Sequence, residues 1–243
     1  SLWLRTQPEI DGQRIGLIGH SEGGLIAPLV AKWQWTEGNP AEAIRFIVLL
    51  AGPGVSGRDV LLVQMRKLIA TEGATAEELD AIQALQATTM DAIIAERKVD
   101  EVTPLARALV AKQLDVAAAH GKPVQNANLD ELTSSAVSEL TSLWMRTFIS
   151  YDPRPAIAEL VVPVLAMQGG LDLQVDSAQN LKSIESAAAL GHVKLTVKRY
   201  ENLNHLFQPA KTGSVDEYGT IETTFDPQAL KDLVDWVTAT AND

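Results

Sequence analysis

Apolar positions change their spacing twice along this chain. Residues 13–18 and 45–50 hold short apolar runs, Ile15-Gly16-Leu17-Ile18 and Phe46-Ile47-Val48-Leu49-Leu50. Turn residues bound them, Asp11-Gly12 before the first and Ala51-Gly52-Pro53-Gly54 after the second. Each run reads as a buried parallel strand. Between them residues 22–34 predict a helix, with Leu25, Leu29 and Val30 among its apolar positions and Pro28 as an expected bend. From residue 55 to 150 the β-branched runs vanish and apolar residues recur at helical spacing. Ser56 is placed to cap a helix over 58–71, and Thr75-Ala76-Glu77-Glu78 is a capping box opening a helix that reaches Lys98. Further helices are predicted over 102–119 and from Asp130 to Ile149, with Gly121-Lys122-Pro123 breaking the chain between them. Strand spacing then returns at 161–167 and 193–200, separated by a helix over 177–190. A polar loop over 209–224 precedes a closing helix over 227–240.

This order predicts an α/β class with a mostly parallel sheet. Residues 1–54 and 151–243 would form the sheet-bearing core, and residues 55–150 a helical insertion. An insertion at the C-terminal edge of a parallel sheet covers the crevice where ligands bind, so it is read as a cap rather than a separate four-helix domain. Leu61, Met65, Leu140, Trp144 and Phe148 are large apolar residues at helical spacing. They are the candidates to line a substrate pocket from the cap, with plain helix-to-helix packing as the competing role for each.

Composition narrows the possible functions. The chain has 243 residues and 46% apolar content, enough for one large domain or a core with an accessory layer. No apolar run reaches the length of a membrane helix, and no signal peptide is visible. A net charge of −11 argues against nucleic acid or an anionic membrane surface as partner. Cysteine is absent, which removes disulfides, thiolate metal sites and a cysteine nucleophile and leaves the compartment open. The histidines have no i, i+4 partner or carboxylate cluster, so neither a metal nor a cofactor is implied.

The chemistry is carried by Ile15-Gly16-Leu17-Ile18-Gly19-His20-Ser21-Glu22-Gly23-Gly24, where a strand runs through Gly-x-Ser-x-Gly into a helix. A serine in this context is held on a strained turn with its hydroxyl exposed. The turn is expected to be so tight that the positions two before and two after Ser21 must be glycine. A serine nucleophile needs a base, and the base needs an orienting acid. Of four histidines, His205 lies on the loop after the last predicted strand and is the candidate base. His20 is read as packing with its side chain directed away from the site. His120 is expected in an exposed loop, and His192 opens a strand. Asp172 follows the strand ending at Met167 and is the candidate acid. Asp176 is a natural helix N-cap, and Asp59 and Asp152 are poorer rivals. The order Ser21, Asp172, His205 is that of the α/β hydrolases. The backbone N–H of Glu22, at the start of the following helix, is the candidate oxyanion donor.

These segments, with Ala51-Gly52-Pro53-Gly54-Val55-Ser56-Gly57, Ser150-Tyr151-Asp152-Pro153, Gly170-Leu171-Asp172-Leu173-Gln174-Val175 and Leu203-Asn204-His205-Leu206-Phe207-Gln208, carry a resemblance. The chain resembles bacterial carboxylesterases of the α/β-hydrolase superfamily that carry a helical cap after the sixth strand. The resemblance implies a Ser21–His205–Asp172 triad and hydrolysis of esters of small acyl groups. It also implies that the sequence is the C-terminal portion of such a fold. Residues 1–6 read as the end of a helix, and earlier strands with a second oxyanion donor are expected from a preceding segment or a partner chain. A serine peptidase of related fold is the alternative enzyme. A non-catalytic binding or scaffold chain is the alternative outside enzymes.

Overall fold

A computed structural model describes residues 2–38 and 43–242; Ser1, in the segment expected to be the end of a helix, lies outside the described residues. The chain divides into two compact units, Ser1–Val55 with Asp152–Asp243, and Ser56–Tyr151.

The first unit is built on four parallel strands, β1 (Leu17–His20), β2 (Ile47–Leu50), β3 (Val164–Gly169) and β4 (Leu195–Tyr200), paired in that order. Leu17 lies opposite Ile47, Ile47 opposite Val164, and Val164 opposite Leu195. Its helices are α1 (Leu2–Arg5), α2 (Gly23–Thr36), α8 (Arg154–Ala158), α9 (Ser177–Leu190) and α10 (Pro227–Asn242). Every residue of β2 and β3 is buried, because helices cover both faces of the sheet. Ile47, Leu49, Val164 and Ala166 pack with Ala27 and Ala31 of α2 and Leu181, Ile184 and Ala187 of α9. The alternate residues Val48, Leu50, Leu165 and Met167 pack with Phe207 and with Ala229 and Leu233 of α10. Period two thus sends successive side chains of one continuous apolar run into two cores.

Several elements differ from expectation: β2 begins at Ile47 rather than 45, β4 at Leu195 rather than 193, the helix expected to reach Lys98 ends at Ile94, and the next begins at Val99 rather than 102. The first strand is Leu17–His20 rather than 13–18, since pairing with β2 continues to the turn at Ser21. The strand expected from Val161 begins at Val164, because Pro163 has no N–H for the ladder, and Val161 stays exposed. The loop expected over 209–224 contains a 3-10 turn, Val215–Thr220, opened by Ser214, whose hydroxyl accepts from the Asp216 N–H.

β1 lies at one edge of the sheet among the described residues. Ile18 on it is 54% exposed, and Ile26, Leu29 and Trp33 form an exposed apolar stripe on α2 at spacings of three and four. A free strand edge beside an apolar stripe invites pairing with another chain. The isolated chain is therefore expected to self-associate. Sedimentation across a concentration series checks this, and a monomer throughout would contradict it.

The second unit is helical: α3 (Gly57–Thr71), α4 (Ala76–Ile94), α5 (Val99–Ala119), α6 (Leu129–Leu140) and α7 (Leu143–Ser150). Ala92, Ile93, Val102, Met145 and Ile149 form one core, and Ile82, Leu109 and Val116 another. The single helix expected from Asp130 to Ile149 is two. Ser142 is extended (φ −60°, ψ 150°) and accepts the Met145 N–H, so a side-chain cap wins over helix continuation. His120 is not a free loop residue either. It caps the end of α5, and its Nε2 lies 2.9 Å from Glu78 Oε2. The Glu78 carboxyl is pulled down to about 2, first by the Thr75 N–H of its capping box and then by His120.

Candidate active site

Ser21 closes a turn between the end of β1 and the start of α2. Its N–H donates to the Leu50 carbonyl at 2.8 Å, and its own carbonyl accepts from the Gly24 N–H at 2.8 Å. Its φ is +54°, the left-handed region that a side chain disfavours. Such a conformation costs about 1–3 kcal/mol and persists only where surrounding bonds fix it. A Cβ on Gly19 would stand 2.0 Å from the Gly23 carbonyl oxygen, so this position must be glycine. The expectation for Gly23 is corrected: a Cβ there meets nothing within 4 Å. The second glycine the fold demands is Gly24, whose Cβ would stand 2.5 Å from Gly52 Cα, where α2 crosses the loop after β2. Glu22 is the N-cap residue of α2, so its backbone belongs to the helix N-terminus that follows the serine.

Asp172 lies on the loop after β3 and is fully buried. One carboxylate oxygen, Oδ1, accepts the N–H groups of Gln174 (2.8 Å) and Val175 (2.9 Å). The other, Oδ2, lies 2.8 Å from His205 Nδ1. A carboxylate only accepts, so Nδ1 carries the hydrogen and Nε2 is left as a proton acceptor. Asp176 caps α9 and accepts from the Gln179 N–H at 2.7 Å. Asp59 pairs with Arg58, and Asp152 pairs with Arg154. Arg154 holds the Asp152 carboxyl below its usual range. His192 sits in a turn with φ +57° before β4 rather than in a strand.

The loop carrying His205 is shaped by Asn204, which is fully buried. Asn204 Oδ1 accepts from the Leu206 and Gln208 N–H groups, both at 3.0 Å, and Nδ2 donates to Gln208 Oε1 at 3.0 Å. Phe207 has φ +59°, is fully buried and stacks on Phe225 at 5.1 Å. The Asp172 and His205 loops are bonded to each other, with the Leu171 N–H on the Leu203 carbonyl at 3.0 Å and the Gly170 N–H on the Tyr200 carbonyl at 2.7 Å. A Cβ on Gly169 would stand 2.3 Å from the Leu203 carbonyl oxygen. Close backbone approach therefore sets the distance between Asp172 and His205.

Contrary to what the sequence leads one to expect, His20 does not point away from the site. Its side chain turns toward His205: Nε2 donates to the His205 carbonyl at 2.9 Å, and the two rings are 4.8 Å apart. This bond ties the residue before Ser21 to the loop that carries His205. The structure records no direct hydrogen bond between Ser21 and His205, and such contacts commonly tighten only when substrate binds. Tyr218, on the 3-10 turn, is a second unforeseen neighbour. Its hydroxyl accepts from Gln174 Nε2 at 2.9 Å. Burial and then the Asp172 charge push its ionisation up, against the opposing Gln174 bond. Tyr218 lies in no motif, whereas Asn204 stands in the Leu203–Gln208 segment, where Asn before a loop histidine is a recognisable turn-forming signal.

Of the five apolar pocket candidates, Leu61, Met65 and Leu140 line one cavity inside the helical unit. Trp144 and Phe148 instead stack on each other at 5.6 Å, and Phe148 packs against the Met145 and Ile149 core. Among the described residues no group of three or more His, Asp or Glu is arranged to hold a metal ion.

A parallel sheet with helices on both faces and a left-handed serine between strand and helix define a protein of the α/β-hydrolase type. The chain belongs to the BAAT / acyl-CoA thioester hydrolase C-terminal family, whose model matches residues 2–136, more than half of its length. It is thus a member of a hydrolase family. No curated protein matches the sequence. Among solved structures, VinJ is 11% identical with a TM-score of 0.43, over 94% of this chain and 67% of that one. A meta-cleavage product hydrolase from Pseudomonas fluorescens IP01 is 13% identical with a TM-score of 0.38, over 95% and 66%. The esterase RhEst1 from Rhodococcus sp. ECU1013 is 14% identical with a TM-score of 0.37, over 92% and 65%. The chain spans about two thirds of the length of these proteins.

Proposed function

We propose that this chain carries the nucleophile, base and acid of a serine hydrolase that cleaves carboxylic esters of small acyl groups. The observation that carries the reading is the buried Asp172–His205 bond at 2.8 Å, tied through His20 to the turn that holds Ser21. In this mechanism Ser21 Oγ attacks the acyl carbon while His205 Nε2 takes its proton. The carbonyl electrons move onto oxygen, which the Glu22 N–H stabilises at the positive end of α2. The intermediate collapses, the alcohol leaves with the proton from Nε2, and the acyl group remains on Ser21. Water then attacks the acyl-enzyme, giving its proton to Nε2, and the acid departs as the proton returns to Ser21. Asp172 holds the imidazole in the tautomer these steps require. Further strands and a second oxyanion donor from a preceding segment or a partner chain belong to this proposal.

The family description favours one variant, acyl thioesters. The steps are the same, with a thiol as the leaving group. The test is hydrolysis of p-nitrophenyl esters of graded acyl length beside acyl-CoA thioesters, by the protein and by Ser21→Ala. Ester turnover lost in the variant is the expected result. Turnover confined to thioesters would move the reading to the variant substrate. Turnover unchanged in Ser21→Ala would overturn it.

A further inference from the structure

One stretch of chain touches the Asp172 loop on both sides of the carboxylate. Before it stands Leu171. Gly213 is buried at φ +80°, and a Cβ on it would lie 1.8 Å from the Leu171 carbonyl oxygen, so backbone meets backbone there. After it stands Gln174. Its main-chain N–H donates to Asp172 Oδ1 at 2.8 Å, and its side-chain Nε2 donates to the Tyr218 hydroxyl at 2.9 Å. Oδ1 is also fixed by the Val175 N–H, which leaves Oδ2 aimed at His205 Nδ1. The same stretch begins on the loop of His205, where the Ala210 N–H donates to the Asn202 carbonyl at 2.9 Å.

Glu217 closes this stretch on itself. Its Oε2 accepts the N–H groups of Lys211 (3.1 Å) and Gly213 (3.3 Å). Its Oε1 accepts the N–H (2.9 Å) and the hydroxyl (2.7 Å) of Thr212. Successive N–H groups turned to one point form a concavity that takes an anion, and here the anion is the chain's own carboxylate. The Thr212 hydroxyl first, and then the three N–H groups against some burial, hold the Glu217 carboxyl below its usual range. The 3-10 turn itself does not depend on that carboxylate. The Ser214 hydroxyl accepts the Asp216 N–H, and the Ser214 carbonyl accepts the Glu217 N–H. What the carboxylate alone supplies is the link between Gly213, against Leu171, and Tyr218, on Gln174. Without it three N–H groups lose their acceptor, and the two contacts on the Asp172 loop no longer move as one.

We infer that Glu217 is a positioning residue: its carboxylate closes a brace from Gly213 to Tyr218 that holds Asp172 in line with His205. The inference rests on the hydrolase reading only where turnover is measured. The test is Glu217→Ala, because acetate matches the CH2–carboxylate that this variant lacks. The His205 Nδ1 proton is followed by proton NMR, assigned by its loss in Asp172→Ala, beside ester kinetics and urea unfolding. In Glu217→Ala this proton is expected to exchange with water about tenfold faster or more. The kcat for ester hydrolysis is expected to fall roughly 10- to 100-fold, with KM and the urea midpoint close to those of the parent. Millimolar acetate is expected to reverse both changes, and acetamide or chloride neither. Acetate should leave the parent unmoved, since its concavity is filled. A variant indistinguishable from the parent, a loss that acetate does not reverse, a loss that acetamide reverses equally, or a loss that only tracks a lowered urea midpoint would overturn the inference. Should Glu217→Ala not fold, Tyr218→Phe decides, because it deletes only the hydroxyl that holds Gln174. Faster exchange of the His205 proton is the expected result there, and unchanged exchange would overturn the brace. A parent without ester turnover would fail the hydrolase reading, and the proton exchange would then decide the brace alone.

Discussion

Asp172→Asn is expected to lower kcat for ester hydrolysis by about four orders of magnitude, with KM little changed and the fold intact. The reason lies in the bonds that Asp172 already makes. Its Oδ1 accepts two backbone N–H groups, from Gln174 and Val175, at 2.8 and 2.9 Å. An asparagine there must turn its amide oxygen to those donors. Its NH2 group then faces His205 Nδ1, which must accept rather than donate. The imidazole hydrogen moves to Nε2, and the base can no longer take the proton of Ser21. Asp176→Asn is the control, since asparagine caps a helix as well as aspartate does, and it should leave kcat within a small factor. Steady-state kinetics on both variants checks this. Equal losses in the two, or a loss confined to Asp176→Asn, would move the acid to another residue.

Gly19→Ala is expected to destabilise the sheet-bearing unit by about 3 kcal/mol or more, while Gly23→Ala changes stability by less than about 1 kcal/mol. The two glycines flank the same serine, and the motif makes them look equivalent. A Cβ at Gly19 would lie 2.0 Å from the Gly23 carbonyl oxygen and 2.8 Å from the Gly24 nitrogen, both backbone atoms that cannot step aside singly. A Cβ at Gly23 projects into open space at the first position of α2, where alanine is the better helix former. Relief of the clash would drag the turn, and the left-handed Ser21 with it, so Gly19→Ala should lose activity as well as stability. Urea unfolding of both variants provides the measurement. A Gly19→Ala protein as stable as the parent would show that the turn relaxes more easily than its geometry implies.

Sequence patterning made the parallel strands and most helices legible because their signals are local. Continuous apolar runs mark strands covered on both faces, and Ser56, Thr75 and Asp176 cap the helices their side chains announce. The break in the expected 130–149 helix was equally local, since Ser142 offers a cap, but the apolar periodicity on either side masked it. The Asp172 loop and the His205 loop could be placed after their strands, because α/β topology puts such loops on one edge. What the sequence could not give was the direction of individual side chains after chain reversal. His20 was read as pointing away, yet its ring reaches a carbonyl 185 residues later in the chain, and no local pattern encodes that bond. Glycine roles were likewise hidden, because Gly24 matters for its approach to Gly52 and not for its place in the motif. Within the helical unit, helical spacing made Leu61, Met65, Leu140, Trp144 and Phe148 equal pocket candidates, and could not tell the first three, which line one cavity, from Trp144 and Phe148, which stack on each other.

Covalent labelling tests the central claim, that Ser21 is an activated nucleophile, most directly. The protein is incubated with a fluorophosphonate probe, digested, and its peptides weighed. The account predicts one adduct, on the peptide containing Ser21, absent in Ser21→Ala and strongly slowed in His205→Ala. An adduct on another residue, or labelling that persists in Ser21→Ala, would contradict it.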